Sequence, residues 1–367
     1  MFYDTPSIVQ AVLTSTDLQR VKDKIMPQQK DTALDQMAAP AGTSPSPEAE
    51  LVSMFVMSYN QADYIEATVK SAFAQTYANL EIILSDDGST DGTFEIMQRL
   101  AQDYQGPHQV RLNLNPTNLG FIGHLNKIFD LSRGVLIVYA PGDDISHPER
   151  CSTLYHAFAR DRPLLVHSDV NNMDQHGTLT GSTTSRQKIL ADMTLEDTAG
   201  SLALGIGATC AWHPDIRRLF GPIEGEATFD DLIFFFRATL MDRIIHVPEP
   251  LVDYRLGVGL SQLKARTFQQ GVAQERKNWQ RAYETYRQRL KDCQKMRPDQ
   301  TRVIKLLQNK METARYQLEL FNSPFRAACK ALLSLRKFKA LLSMVNRLRK
   351  MTPKRQKRNL VRVQENM

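Results

Sequence analysis

Two segments constrain the fold more than any other part of the chain: Leu84-Ser-Asp-Asp-Gly-Ser-Thr-Asp91 and Tyr139-Ala-Pro-Gly-Asp-Asp144. Each continues an apolar run and ends in paired carboxylates. A strand that carries acids to its carboxyl end builds a polar site at the rim of an α/β sheet, where such folds bind ligands. Two such strands in one sheet point to a nucleotide and a metal ion.

The rhythm around them agrees. Leu51–Met57 is a short uncharged run, as expected of a buried strand. Leu80–Leu84, Val110–Leu114 and Val135–Tyr139 read as further strands, separated by helical spacing over Tyr64–Phe73, Thr93–Tyr104 and Phe121–Leu131. This alternation predicts parallel, right-handed βαβ units. Leu164–Val170 reads as another strand. Gly205–Trp212 and Ile244–Val247 read as strands flanking a helix at Asp230–Met241, with Pro248 and Pro250 closing the compact part. Thr180 to Gly205 has no readable pattern.

Three regions follow: a leader and linker over 1–50, an α/β domain over 51–261, and a basic helical extension over 262–367. The extension reads as helices at Leu263–Gln294 and Thr301–Phe321, broken at Pro298. A third runs from Pro324 to about Met351, with Ser323 as its N-cap.

The net charge of +6 is unevenly spread: Arg326 to Arg362 holds thirteen Lys/Arg and no acid, which leaves the rest near −7. That basic end suits an anionic membrane surface over 324–362, and its apolar stripe suits packing on protein equally well. Nucleic acid is not expected, since aromatic residues there are limited to Phe325 and Phe338. The four cysteines are scattered, so neither a zinc site nor a disulfide framework is indicated. With no charged leader and apolar core of a signal peptide, and no apolar run near ~20 residues, the expected location is cytoplasmic. The inner face of the cell membrane is the place for the basic end.

Each candidate site residue has a functional and a structural reading. Tyr59 follows the first strand and suits stacking on a nucleobase, or shielding of the core. Asp87 suits a base N–H, whereas an Asx turn capping the next helix uses the same residues. Asp143 and Asp144 suit a hard divalent cation, although Pro141-Gly142 is also strong turn chemistry. Asp230 and Asp231 open an apolar helix, where acids favour the helix dipole; a general base is the alternative.

Taken in order, Met54-Phe-Val-Met-Ser-Tyr-Asn-Gln-Ala-Asp-Tyr64, Ala74-Gln-Thr-Tyr77, Glu81 to Asp91, Asn118-Leu-Gly120, Gly142-Asp-Asp144 and Asp230-Asp231 resemble the family 2 glycosyltransferases over Leu51 to Ser261. The resemblance implies an inverting, metal-dependent enzyme. Its fold would be GT-A: a Rossmann-like, mostly parallel sheet flanked by helices, here with an α-helical C-terminal extension. It implies that Tyr59 and Asn60 line the nucleotide site, that Asp87 contacts the base edge, and that Asp143 lies near the ribose. Asp144, with Asp143, would hold Mn²⁺ or Mg²⁺ at the diphosphate, Arg255 would approach that diphosphate, and Asp231 would be the catalytic base. The donor would be a nucleotide sugar, UDP-linked by preference, and the acceptor a glycan or lipid-linked glycan in polysaccharide or glycoconjugate synthesis. The C-terminal helices offer a homo-oligomer contact.

The chain departs from the family pattern at three places. Pro141-Gly142 replaces the first part of the usual Asp-x-Asp-Asp, Asp230 stands where Glu is commoner, and Leu256-Gly257 replace a frequent His. A nucleotidyltransferase would need a Gly-rich basic loop after the first strand, and Ser58-Tyr-Asn-Gln-Ala-Asp63 is neither. A non-catalytic scaffold would have no need of Asp87, Asp144 and Asp231.

Overall fold

The computed structural model describes residues 50–182, 194–225, 228–258, 267–323, 339, 341–344 and 346–347. Its first half alternates β1 (Val52–Ser58), α1 (Ile65–Phe73), β2 (Leu80–Asp86), α2 (Thr93–Asp103), β3 (Gln109–Leu114), α3 (Gly120–Leu131) and β4 (Leu136–Pro141). The second half contains β5 (Ile145–Ser146), α4 (Arg150–Asp161), β6 (Leu165–Met173), β7 (Leu179–Ser182), α5 (Leu195–Gly200), β8 (Cys210–Trp212), α6 (Asp215–Phe220), α7 (Asp230–Leu240) and β9 (Ile244–Arg255). Two long helices follow, α8 (Phe268–Met296) and α9 (Thr301–Asn322).

The described strands form one sheet in the order β3-β2-β1-β4-β8-β6-β9-β5, with β7 paired to β6. β1 to β4 are parallel. The chain runs outward from β1 to β3, then returns to place β4 on the other side of β1. The order therefore reverses between β1 and β4, and a crevice opens at their carboxyl ends, where α/β sheets bind ligands.

β1 is buried at every position because both of its faces are covered. Val52, Met54 and Val56 pack with residues of α1, α2 and α4, whereas Phe55 and Met57 pack with α3, α7 and α8. This two-sided burial makes the strands continuous apolar runs in sequence. Trp212, fully buried, lies across β4 with its ring 5.4 Å from Tyr139 and 4.7 Å from Phe234 of α7.

Two elements differ from the sequence reading. The segment from Gly205 is a strand only over Cys210–Trp212, preceded by a 3-10 turn at Gly207–Thr209. The turn is fixed because Arg150 Nη2 donates to the Ala208 carbonyl at 2.5 Å, and because Gly205 lies so close to α7 that a Cβ would sit 2.0 Å from the Phe235 ring. Pro248 and Pro250 do not end the last strand, which continues to Arg255. The β6–β9 register slips around Asp169, opposite Pro250, so the missing N–H groups fall where the ladder is already interrupted. α4 lies where no element is expected from the sequence, although Cys151, Leu154, Tyr155 and Phe158 recur at helical spacing and are buried.

The helical extension shares the main core. Ala282, Tyr286, Leu290, Cys293, Val303, Leu307 and Ala314 belong to the same buried cluster as Phe55, Trp212 and Phe235. Most of the expected helix from Pro324 to Met351, and the leader over 1–49, lie outside the described residues. Of that helix, Met344 packs with Tyr316 and Leu320 of α9, and the Arg347 guanidinium lies 5.0 Å from the Trp279 ring. Among the described residues no helix is long and apolar enough to cross a membrane.

Candidate active site

The carboxyl ends of β1 and β2 form the first wall. Tyr59, just past β1, is 43% exposed, so its ring is presented to solvent at the crevice. Asn60 adopts a left-handed conformation (φ +51°), which Asn tolerates better than most residues. Its N–H donates to Ser89 Oγ at 2.8 Å and its Oδ1 accepts the Thr90 N–H at 2.9 Å, locking the β1–α1 loop to the β2–α2 loop.

The acids of the first motif divide their work. Asp86 accepts from Ser89 N–H (2.7 Å), Ser89 Oγ (2.6 Å) and Ser58 Oγ (3.2 Å). Asp91 accepts from Ala62 N–H, Thr93 N–H and Thr93 Oγ1. Both build the turn. Asp87 differs: it is 3% exposed, and Asn115 Nδ2 (2.8 Å) and the Leu119 N–H (2.9 Å) both donate to its Oδ1. Oδ2 keeps its acceptor capacity. Beneath it, Lys127 Nζ donates to Asn115 Oδ1 at 2.6 Å, and Asn113 bridges Asn115 to Ser85. His124 stands 2.6 Å from Ser85 Oγ, and burial holds its imidazole down at about 4, hence neutral at physiological pH.

The second wall is the β4–β5 turn. The Gly142 N–H donates to the Met57 carbonyl at 2.9 Å, and a Cβ at Gly142 would lie 2.9 Å from Ser58 Cβ, so only glycine lets this turn close onto β1. Asp144 is 4% exposed, and its Oδ1 accepts the Arg255 N–H at 2.8 Å. Its Oδ2 is buried with no hydrogen-bond partner. Burial, reinforced by the Asp143 charge, pushes Asp144 well above the usual carboxylate range; burial raises Asp143 as well. A buried, unpartnered carboxylate oxygen beside a second carboxylate fits a hard cation. Among the described residues no cluster of three protein ligands gathers there, so the remaining ligands would have to come from a bound substrate or water.

Arg255 is buried in this wall. Its Nε donates to the Asp143 carbonyl (2.8 Å) and its Nη1 to the Asp174 and Gln175 carbonyls (3.3 and 3.1 Å), while the guanidinium lies 4.9 Å from the Tyr64 ring. These bonds tie the β6–β7 turn to the acidic turn. A residue not singled out from the sequence supports the wall from below: Arg150 is fully buried, donating to Ser146 Oγ (2.9 Å) and to the Tyr139 (2.7 Å) and Ala208 carbonyls.

The third wall is the start of α7. Its N-cap residue, Phe229, offers no side-chain acceptor. Asp231 Oδ1 accepts the Leu232 N–H at 2.8 Å, and the helix dipole favours an acid there. Burial pushes Asp231 up to about 6, and burial together with the Asp231 charge pushes Asp230 up to about 8. The phenol of Tyr139, raised first by burial, also feels Asp230, Asp143 and Asp144. Members of both acid pairs thus act on one buried side chain.

Residues 53–211 match the family model described as glycosyl transferase family 2. Over that stretch the chain is similar to the family 2 glycosyltransferases. The chondroitin synthase of Pasteurella multocida (strain Pm70) is 32% identical over 130 residues, which cover 35% of this chain and 13% of that synthase. The matched stretch therefore spans about an eighth of that relative. S. aureus TarS 1–349 in complex with UDP-GlcNAc superposes with a TM-score of 0.53 at 15% identity, covering 83% of this chain and 82% of that one. The mannosyltransferase PcManGT from Pyrobaculum calidifontis, in complex with GDP-Man and Mn²⁺, gives 0.52 at 17% identity, covering 83% and 86%. These likenesses show the fold, which is GT-A.

The part of this domain's architecture least visible in sequence comes from α8. Thr285, Gln288, Arg289 and Asp292 recur at helical spacing and are all buried. Thr285 Oγ1 accepts the N–H of Phe229, replacing the cap that α7 lacks. Gln288 Oε1 accepts the Glu224 N–H, and Asp292 pairs with Arg237 of α7 at 2.7 Å. A row of polar residues on a long polar helix reads as solvent-exposed; nothing short of the backbone groups it meets, at Glu224 and Phe229, marks it as interior.

Proposed function

We propose that the protein transfers a sugar, with inversion, from a nucleoside-diphosphate sugar, UDP-linked by preference, to a hydroxyl of a glycan or lipid-linked acceptor. The observation that carries this reading is the pairing of Asp144, with its unpartnered buried Oδ2, and an ionisable Asp231 at the mouth of α7. In this reading Tyr59 stacks on the base and Asp87 Oδ2 accepts a base N–H. Asp143 and Asp144 would hold Mn²⁺ or Mg²⁺, which when bound supplies neutralisation of charge on the diphosphate. Asp231 takes the acceptor hydroxyl proton as that oxygen bonds to the anomeric carbon. The bond from the anomeric carbon to the diphosphate oxygen breaks on the opposite face, which inverts the configuration. Arg255 keeps the acidic turn and the β6–β7 turn in register around the donor.

Calorimetric titration of UDP, dTDP, GDP and CMP, with and without Mn²⁺, tests the reading on wild type and Asp144→Asn. One nucleotide is expected to bind with metal and to lose at least ~10-fold in affinity in the variant, as expected when a metal ligand is removed. Binding that ignores both the metal and the substitution would overturn the assignment of Asp144. No binding of any nucleotide would overturn the transferase reading itself.

A further inference from the structure

Arg289 of α8 is fully buried, and every hydrogen bond it donates goes to a neutral carbonyl. Nε and Nη2 reach the Leu232 carbonyl at 3.2 and 2.8 Å, and Nη1 reaches the Ala199 and Ser201 carbonyls at 3.0 and 2.7 Å. Among the described residues no carboxylate lies within ion-pair distance of it. Arg237, one helix away, has Asp292 at 2.7 Å. A buried cation held only by dipoles is costly unless an opposite charge lies near. The carboxylate whose charge acts on it is Asp231, whose own Oδ1 is bonded to the N–H of the same Leu232 that Arg289 holds by its carbonyl.

We propose that Arg289 is a positioning residue for Asp231: it fixes the first turn of α7 through Leu232 and supplies the counter-charge for the Asp231 carboxylate. The proposal deepens the assignment of Asp231 as base and rests on it. The two charges reach one another: burial lowers Arg289 to about 10, Tyr286 and Asp231 oppose that fall, and Arg289 in turn restrains the rise of Asp231. The other charged or titratable groups around the pair are Asp230 on α7, Cys210 on β8, Arg281 on α8, which faces Asp230, and Tyr139 on β4. Arginine is required because three carbonyls on two elements are met at once by one planar fork, a geometry that a lysine ammonium does not reproduce. The long C-terminal helix is therefore a working part of the site.

The test uses the full chain labelled with ¹³C at aspartate carboxyls, the Asp231 signal being identified by its loss in Asp231→Asn. Arg289→Gln keeps donors and removes charge, so the Asp231 midpoint is expected to rise by about one pH unit or more. Arg289→Lys keeps charge and loses the fork. Its midpoint should stay near wild type, while amide hydrogen exchange at 231–233 quickens and exchange in α1 does not change. An unmoved midpoint in a folded Arg289→Gln would overturn the counter-charge. If that variant does not fold, Arg289→Lys decides, and unchanged exchange at 231–233 overturns the positioning role. UDP release from UDP-GlcNAc with Mn²⁺ separates the two claims. Wild-type release by Asp231→Asn alongside a shifted midpoint removes the base assignment and leaves the Arg289–Asp231 coupling. A dead Asp231→Asn with an unmoved midpoint does the reverse.

Discussion

Asp231→Asn is expected to lower transfer at least ~10²-fold, the usual contribution of a general base, with nucleotide affinity unchanged. Two carboxylates stand at the start of α7, and the environment separates them. At neutral pH Asp231, at about 6, is ionised, whereas Asp230, at about 8, is largely protonated. Two adjacent buried acids do not both ionise readily, so one proton is retained and Asp231 is the member free to accept another. Turnover should therefore fall as pH drops through about 6, because the base is then protonated. The Asn variant should show a low rate without that acid limb. Wild-type turnover in the variant, or an acid limb that survives the substitution, would remove Asp231 from the chemistry.

The same arrangement has a cost in stability, and its sign is set. A raised carboxylate pKa means that the folded chain keeps protons the unfolded chain has released. The contribution of Asp230 is neutral below the ordinary value of 3.8 and turns unfavourable as pH rises toward about 8. Asp230→Asn should raise the unfolding temperature more at pH 8 than at pH 5. An equal change at both values would mean that Asp230 is not held protonated in the folded protein.

The parallel half of the sheet was legible because β1, β2 and β4 are buried on both faces and so are mostly apolar in sequence, and because β2 and β4 lead into acids that have no place in a core. Spacing placed α7 and its acids for the same reason. The division of labour among those acids was not legible. Asp86 and Asp87 are neighbours of identical type, and only Ser89 on one side and Asn115 and Leu119 on the other make one a turn-builder and leave the other held through a single oxygen. Arg150 and Arg289 escape sequence reading for a related reason. A buried arginine looks like any surface arginine until the carbonyls that surround it, drawn from elements far apart in the chain, are known. Each lies beneath one acid pair: Arg150 under the β4–β5 turn, Arg289 under α7. α4 is a different case: its helical spacing is present in the sequence, yet no element was read there.

Asp292→Ala is expected to destabilise the fold by about 3–5 kcal/mol, the range for breaking a buried ion pair from one side. Arg237 and Asp292 are 0% and 1% exposed, with Nε to Oδ2 at 2.7 Å. Removing the carboxylate leaves the guanidinium buried with the Gly221 carbonyl, at 3.1 Å, as its best remaining acceptor. It also takes away the acceptor that orients Gln288, whose amide meets Asp292 Oδ1 at 2.9 Å. Against a total stability of about 5–15 kcal/mol, a loss of this size is large. Denaturant midpoints by circular dichroism measure it. The double substitution Arg237→Met with Asp292→Leu should recover most of the loss, since apolar side chains of similar volume can replace a buried pair at little cost. Because Arg237 lies on α7 and Asp292 on α8, the result also decides how the extension is attached. A single substitution with a wild-type midpoint would mean that α8 does not dock on α7 through this pair. The expected loss, with nucleotide affinity falling in the same variant, would mean that the site and the helices behind it unfold as one unit.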